Sequence, residues 1–209
     1  PIGQTIEVED DQTILDAAAI LARTHPEIEF VFVGEGDGHA RLAAERARLG
    51  LSNIRQLPWQ PEAALRALME SGDVHLISMK HEAAGLLVPS KLYSALAVAR
   101  PCILVGPVHC EVAKVIGDYR AGAVIPQGQP ALLAQAIVRY RESSAEWFSA
   151  HEGAARAGQV FMPEESIAAW IARARDVVDP SGRFAPGASS GSSGGKRDKA
   201  ASDGPRKVA

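Results

Sequence analysis

From residue 28 to residue 178, short apolar runs alternate with amphipathic segments. IEFVFVG (28–34), DVHLISM (73–79), PCILVG (101–106) and GAVIP (122–126) are brief and largely apolar, and with NIRQLP (53–58) they read as strands. The segments between them carry helical spacing. HARLAAERARLG (39–50) sets Leu42, Ala43, Ala47 and Leu49 among charges and closes on Gly50, which suits a left-handed C-cap. PEAALRALMES (61–71), CEVAKVIGD (110–118), QPALLAQAIVRYRE (129–142) and SAEWFSAHEGAARAG (144–158) are the next helices. PEESIAAWIARARDVV (163–178) is the last, with proline and acids in its first turn as the helix dipole prefers. TILDAAAILART (13–24) is a helix ahead of the first run, and PIGQTIEVED (1–10) is expected to hold the remains of an earlier strand and loop.

Strands this apolar, separated by helices, predict an α/β fold: a Rossmann-like parallel sheet with helices on both faces. The repeat of about 20 to 25 residues is the length of one strand–helix unit, not a solenoid repeat. Residues 1–178 form the predicted domain. From 179 to 209 the chain turns Gly/Ser-rich and basic with few large apolar residues, and it is expected to be disordered.

Composition narrows the picture. Hydrophobic residues make up 46% and aromatics 5%, so Ala, Leu and Val must build the core. The two cysteines, Cys102 and Cys110, suggest no disulfide framework, and a reducing, cytoplasmic compartment is expected. No apolar run approaches the roughly 20 residues that span a bilayer, and no signal-peptide pattern is present. The chain begins at Pro1, which raises the expectation of a missing upstream portion. Residues 1–178 hold 16 Lys or Arg against 22 Asp or Glu, a balance of −6, whereas residues 179–209 hold 6 against 3, a balance of +3. An acidic body argues against a nucleic-acid surface. The basic tail is a candidate for contact with an anionic membrane surface, or serves only as a solubilising tail.

In an open parallel sheet, ligands sit beyond the carboxyl ends of the strands. Those ends carry GEGDG (34–38), LPWQP (57–61), SMKHEAAGLLVPSK (78–91) and VGPVHCE (105–111). Gly34 and Gly36 follow a strand and precede a helix, so a ligand can approach the backbone there. Their spacing is not the G-x-G-x-x-G of dinucleotide sites. The loop from Ser78 to Lys91 exceeds the usual two to six residues and carries Lys80, His81 and Glu82. It leads into PSKLYSALAVA (89–99), where Leu92, Ala95, Leu96 and Ala99 form the apolar stripe. Lys91 and Ser94, three apart, share another face with Ser90 at the start. A lysine in the first turn opposes the helix dipole unless an anion lies there. Lys91 is therefore the leading candidate for a phosphate ligand. Trp59 and Gln60 stand at a strand end, where an indole either lies beside a base or plugs the core. His39, His75 and His109 lack metal-ligand spacing, so neither a metal nor a cofactor is implied.

The motifs together resemble the C-terminal, donor-binding half of a retaining glycosyltransferase of the two-domain GT-B type (group 1, family 4-like). TILDAAAIL, FVFVGEGDGHARL, NIRQLPWQPEAALRALMESGDVHLISM, LVPSKLYSALAVARPCI, HCEVAKVI and GAVIPQGQPALLAQAI match in order. The Pro-Ser-Lys helix start is similar to that of a subgroup that builds cell-surface polysaccharides. The resemblance implies a nucleotide-sugar donor, usually UDP-linked, and a sugar or lipid-linked acceptor. The base would meet Leu57–Gln60, the diphosphate Lys91, and hexosyl or N-acetylhexosaminyl transfer would follow. The family's ribose-binding glutamate falls on Ser94, and its partner eight residues earlier falls on Leu86, with Glu82 nearby but out of register. Gly3 matches the family's glycine-rich loop, but Glu7, Glu9, Asp10 and Asp11 replace most of its glycines and cations. Each would repel a diphosphate by about 1 kcal/mol or more at close range. The acceptor domain is not in the chain, so the fragment is expected to bind without turnover. Two other readings fit the pattern: a truncated or degenerate module that keeps the fold, and an NDP-sugar epimerase-like domain.

Overall fold

A computed structural model describes residues 11–161 and Ile171 of the 209-residue chain. The predicted strand at 1–10, the helix at 163–178 apart from Ile171, which is helical, and the tail at 179–209 lie outside the described residues.

Helix α1 (Asp11–Thr24) leads into β1 (Phe30–Val33), and α2 (Asp37–Leu49) and β2 (Ile54–Leu57) follow. α3 (Glu62–Ser71) crosses to β3 (His75–Ser78). A 3-10 turn (His81–Ala83) precedes α4 (Ser90–Ala97), then come β4 (Cys102–Val105), α5 (Glu111–Tyr119), β5 (Gly122–Ile125), α6 (Pro130–Glu142) and α7 (Ser144–Val160). Every predicted element between residues 13 and 158 is present. The pairing is parallel throughout: Phe30 aligns with Ile54, His75 with Cys102, and Cys102 with Gly122. A single sheet was expected, but the described strands form two, β1–β2 and β3–β4–β5, because β1 and β3 do not pair with each other.

Helices cover both faces of these strands. α1, α2 and α6 share one core with Phe30, Ile54, Ile103 and Val105. α4, α5 and α7 share the other with Ile77, Leu104 and Cys102. β4 is buried on both faces, which its uninterrupted CILV requires. On α4, Leu92, Ala95 and Leu96 are buried, each leucine contributing about 1.5–3 kcal/mol of transfer free energy. Ala99 does not extend that stripe. The helix ends at Ala97, and Ala99 sits beyond it in the left-handed region at φ 55°.

The last helix lies unusually close to its neighbours. A Cβ on Gly158 would fall 2.4 Å from Leu96 O, and one on Gly153 would fall 2.4 Å from Tyr119 O. The α7 backbone therefore rests on the C-terminal ends of α4 and α5. The amino ends of the strands are also braced. Trp147 stacks on His151 at 5.1 Å with Arg100 5.7 Å from its ring. Its indole N–H donates to Asp73 O (2.9 Å), and His151 Nδ1 donates to Ala99 O (2.6 Å).

Candidate functional site

The loops at the carboxyl ends of the strands are built in different ways. After β1, the Gly34 N–H donates to Leu57 O (3.1 Å), which joins the first two loops. Gly36 holds φ 94° and ψ −170°, a region closed to side chains, although a Cβ there would meet open space. The need for glycine at 36 is thus set by the backbone path into α2. Gln56 Nε2 donates to His39 O (2.8 Å) and fixes the first turn of α2 against β2.

After β2, Trp59 is 70% exposed, so it is not the core plug that was weighed for it. Gln60 Nε2 donates to Pro58 O (2.8 Å), which closes the loop on itself. After β3, Met79 is buried and its N–H donates to Val105 O (2.9 Å). The 3-10 turn then buries Ala83 and leaves Glu82 exposed. A regular turn inside the long loop was not expected. Leu86, at 68% exposure, with Leu87 and Val88 forms an apolar rim before Pro89.

α4 begins with no capping side chain and no acid in its first turn, unlike α2, α3, α5 and α7. Ser90, Lys91 and Ser94 are exposed, and Ser94 Oγ donates to Ser90 O (3.3 Å). The shared face predicted for them is present. Beside it, the β4 loop leaves in backbone contact with the β3 loop: a Cβ on Gly106 would fall 2.6 Å from Met79 O. Cys110 caps α5 by accepting from Ala113 N (3.5 Å), while its thiol donates to Pro107 O (3.2 Å). A depression of about 450 Å³ there is lined by His109, Cys110, Glu111 and Lys114 among others.

His109 and Lys114 add two basic groups to this edge that the sequence reading did not single out as ligands. His109 had been weighed only for metal spacing, and Lys114 carries no motif. A second omission is Thr13, buried in α1, whose hydroxyl accepts from Gly128 N (3.0 Å) and ties the loop after β5 to the start of α1. A lone threonine in a helix gives no sequence signal for such a tie.

The glycine turn and Lys91 thus lie at the same end of the strands. α2 starts on one face and α4 on the other. Gly3 lies outside the described residues. Among the described residues no group of three or more His, Cys, Asp or Glu is placed to hold a metal ion. A cavity of about 510 Å³ lies between α1 and α6, lined by Thr24, His25 and Glu142 among others, towards the opposite end. Cys102, also at the amino end, has its thiol pushed up to about 12 by burial and is chemically inert. No helix of the described residues is long and apolar enough to cross a membrane.

Comparison with known proteins gives this edge its context. Over 134 residues the chain is 34% identical to a putative colanic acid biosynthesis glycosyl transferase, WcaI, of Escherichia coli K12, covering 63% of this chain and 32% of that protein. WaaG, a glycosyltransferase involved in lipopolysaccharide biosynthesis, superposes with TM-score 0.62 at 20% identity, over 84% of this chain and 45% of WaaG. Anabaena Alr3699/HepE, solved in complex with UDP-glucose, gives TM-score 0.64 at 18% identity, over 84% and 47%. The C-terminal domain of the group 1 family protein LpcC of Francisella tularensis gives 0.61 at 14%, over 75% and 81%. The chain spans about a third of its curated relative and under half of WaaG and HepE. The expected fold, Rossmann-like and matching GT-B glycosyltransferases, is present. The family model for glycosyl transferases group 1 matches residues 2–143, and the chain belongs to that family.

Proposed function

We propose that this chain is the donor-binding half of a glycosyltransferase that takes a UDP-linked sugar and passes a hexosyl or N-acetylhexosaminyl group to a cell-surface polysaccharide or lipid-linked acceptor. The observation that carries this reading is the start of α4, where Pro89 opens the helix and Ser90 and Lys91 bring first-turn amides and an ammonium to the carboxyl edge of the sheet. Amides at a helix N-terminus and a cation together suit a diphosphate. HepE bound to UDP-glucose and the polysaccharide context of WcaI and WaaG support the choice of ligand and acceptor.

Lys91 and the amides of Ser90 and Lys91 hold the diphosphate and stabilise the negative charge that grows on it as the glycosidic bond breaks. Ser94, one turn further along the same face, faces the ribose hydroxyls. Trp59 and Gln60 contact the base. The backbone at Gly34 and Gly36 allows close approach, and Glu82 lies on the sugar side. The Pro-Ser-Lys start supports a role in the subgroup that builds cell-surface polysaccharides. It acts at the cytoplasmic side of a membrane that carries the acceptor.

Calorimetric titration of the chain with UDP tests this. The unaltered chain should bind, and Lys91→Ala should weaken binding about tenfold or more, equivalent to about 1.4 kcal/mol, with its melting temperature retained. Equal affinity in the variant would remove Lys91 from the site. A folded chain with no affinity for UDP would instead mark a module that has kept the fold and lost the ligand.

A further inference from the structure

Helix α4 is eight residues long, so its orientation is set by what packs along it. Leu92, Ala95 and Leu96 point into the second core. Successive residues turn about 100° around a helix axis, which puts Tyr93 on one flank of that stripe and Lys91 on the other. The Tyr93 flank meets α7. Phe161, the residue that follows α7, sets its ring 5.5 Å from the Tyr93 ring at an interplanar angle of 60°. The same ring lies 6.0 Å from that of Tyr119, edge-on at 68°. Aromatic pairs favour such tilted and edge-on arrangements, and all three rings pack against the second core.

The Tyr119 side of this contact is fixed independently of Phe161. Arg156 Nη2 donates to Tyr119 O (3.3 Å), and the α7 backbone at Gly153 lies against the same carbonyl. α5 and α7 therefore back Phe161 firmly. The α4 side is held at two heights. Gly158 rests on Leu96 O in the last turn of α4, and Phe161 rests on Tyr93 in the first. A close-packed interior passes a displacement on instead of absorbing it. A short helix that loses its upper rest pivots on the lower one, and the end that moves furthest is the end that carries Ser90 and Lys91.

We propose that Phe161 is a positioning residue for the start of α4: wedged between Tyr93 and Tyr119, it sets the roll of that helix and with it the direction in which Lys91 and the first-turn amides face. The proposal rests on the donor-binding reading of Lys91 given above. Phe161 acts through α4 and not on the donor.

Calorimetric titration with UDP and amide hydrogen exchange test it on Phe161→Ala, Tyr93→Ala, the double variant, Phe161→Tyr and a control, Leu133→Ala, which opens the first core instead. Phe161→Ala and Tyr93→Ala should each weaken UDP binding about tenfold, and the double variant should be no weaker than either, because both remove one shared contact. Phe161→Tyr keeps the ring and should bind within about twofold of the parent. Leu133→Ala should lose at least as much in melting temperature and still bind UDP as the parent does. Exchange reads α4 without any nucleotide: Phe161→Ala should speed the amides of Leu92 and Ser94 about tenfold beyond those of β4. Unchanged UDP affinity in Phe161→Ala, or an equal loss in Leu133→Ala, overturns the proposal. A parent that binds no UDP overturns the donor reading instead, and exchange then decides the wedge by itself: speeding confined to α4 upholds it, and uniform or absent speeding overturns it.

Discussion

His75 opens β3 half-buried, with Nε2 donating to Met69 O (2.9 Å). Burial lowers its proton affinity, the Met69 hydrogen bond opposes that, and the Arg100 charge lowers it further. The net shift is downward from about 6.5. The unfolded chain then binds the proton more readily than the folded one, so this contribution to stability is whole above about pH 6.5 and is lost as pH falls below it. His75→Gln should flatten the fall in melting temperature between about pH 7.5 and about pH 5.5, and thermal melts of the two proteins at matched pH check it. At this scale the sequence was informative where spacing carried the signal. Lys91 and Ser94 could be set on one face because a helix repeats every 3.6 residues. The surroundings of Trp59 could not be read, because whether an indole at a strand end is covered depends on parts of the chain distant in sequence. The same holds for Thr13, whose partner Gly128 is 115 residues away.

Elements were more legible than residues. Four of the five described strands are short, largely apolar runs, β2 with its Arg55 and Gln56 being the exception, and the helices carry 3.6-period stripes, patterns that survive whatever packs on them. Boundaries shifted where local backbone took over, as at Ala99, which leaves the helix because the turn into β4 needs a left-handed residue. The behaviour of α7 was hidden for a different reason. Its Ala150, Gly153, Ala154, Ala157 and Gly158 read as a weakly apolar helix, yet they are what lets its backbone touch α4 and α5. In an isolated helix Gly→Ala gains about 1 kcal/mol. Here Gly158→Ala should cost about 1–3 kcal/mol, since the new methyl group meets the Leu96 carbonyl. Gln159→Ala on the exposed side should stay within about 0.5 kcal/mol of the parent. Denaturant titration of the three proteins reads the reversal of sign.

For the whole molecule, the layering and the edge that carries the loops followed from alternating strands and helices. The division of the strands into two sheets did not, because a strand's neighbour is decided by chain topology and not by its own composition. The chain's span of about a third of its curated relative bears on activity. On the function proposed above, transfer needs an acceptor held against the donor, so the chain alone should bind UDP-sugar yet release no product, and product should form when an acceptor-binding domain from a group 1 relative is joined to it. A radiolabelled transfer assay on both forms distinguishes the two cases, and turnover by the chain alone would show that the second half is dispensable.

Trp147, clasped among Asp73, Arg100 and His151, braces the amino ends of the strands, while Trp59, Glu82 and Leu86 stand on loops, and Lys91 at the start of α4, at their carboxyl ends. Anchorage and the recognition proposed above therefore fall at separate ends of the strands. Changes of loop sequence can retune what is bound with little penalty to folding, and that separation makes the scaffold a tolerant one for divergence in specificity.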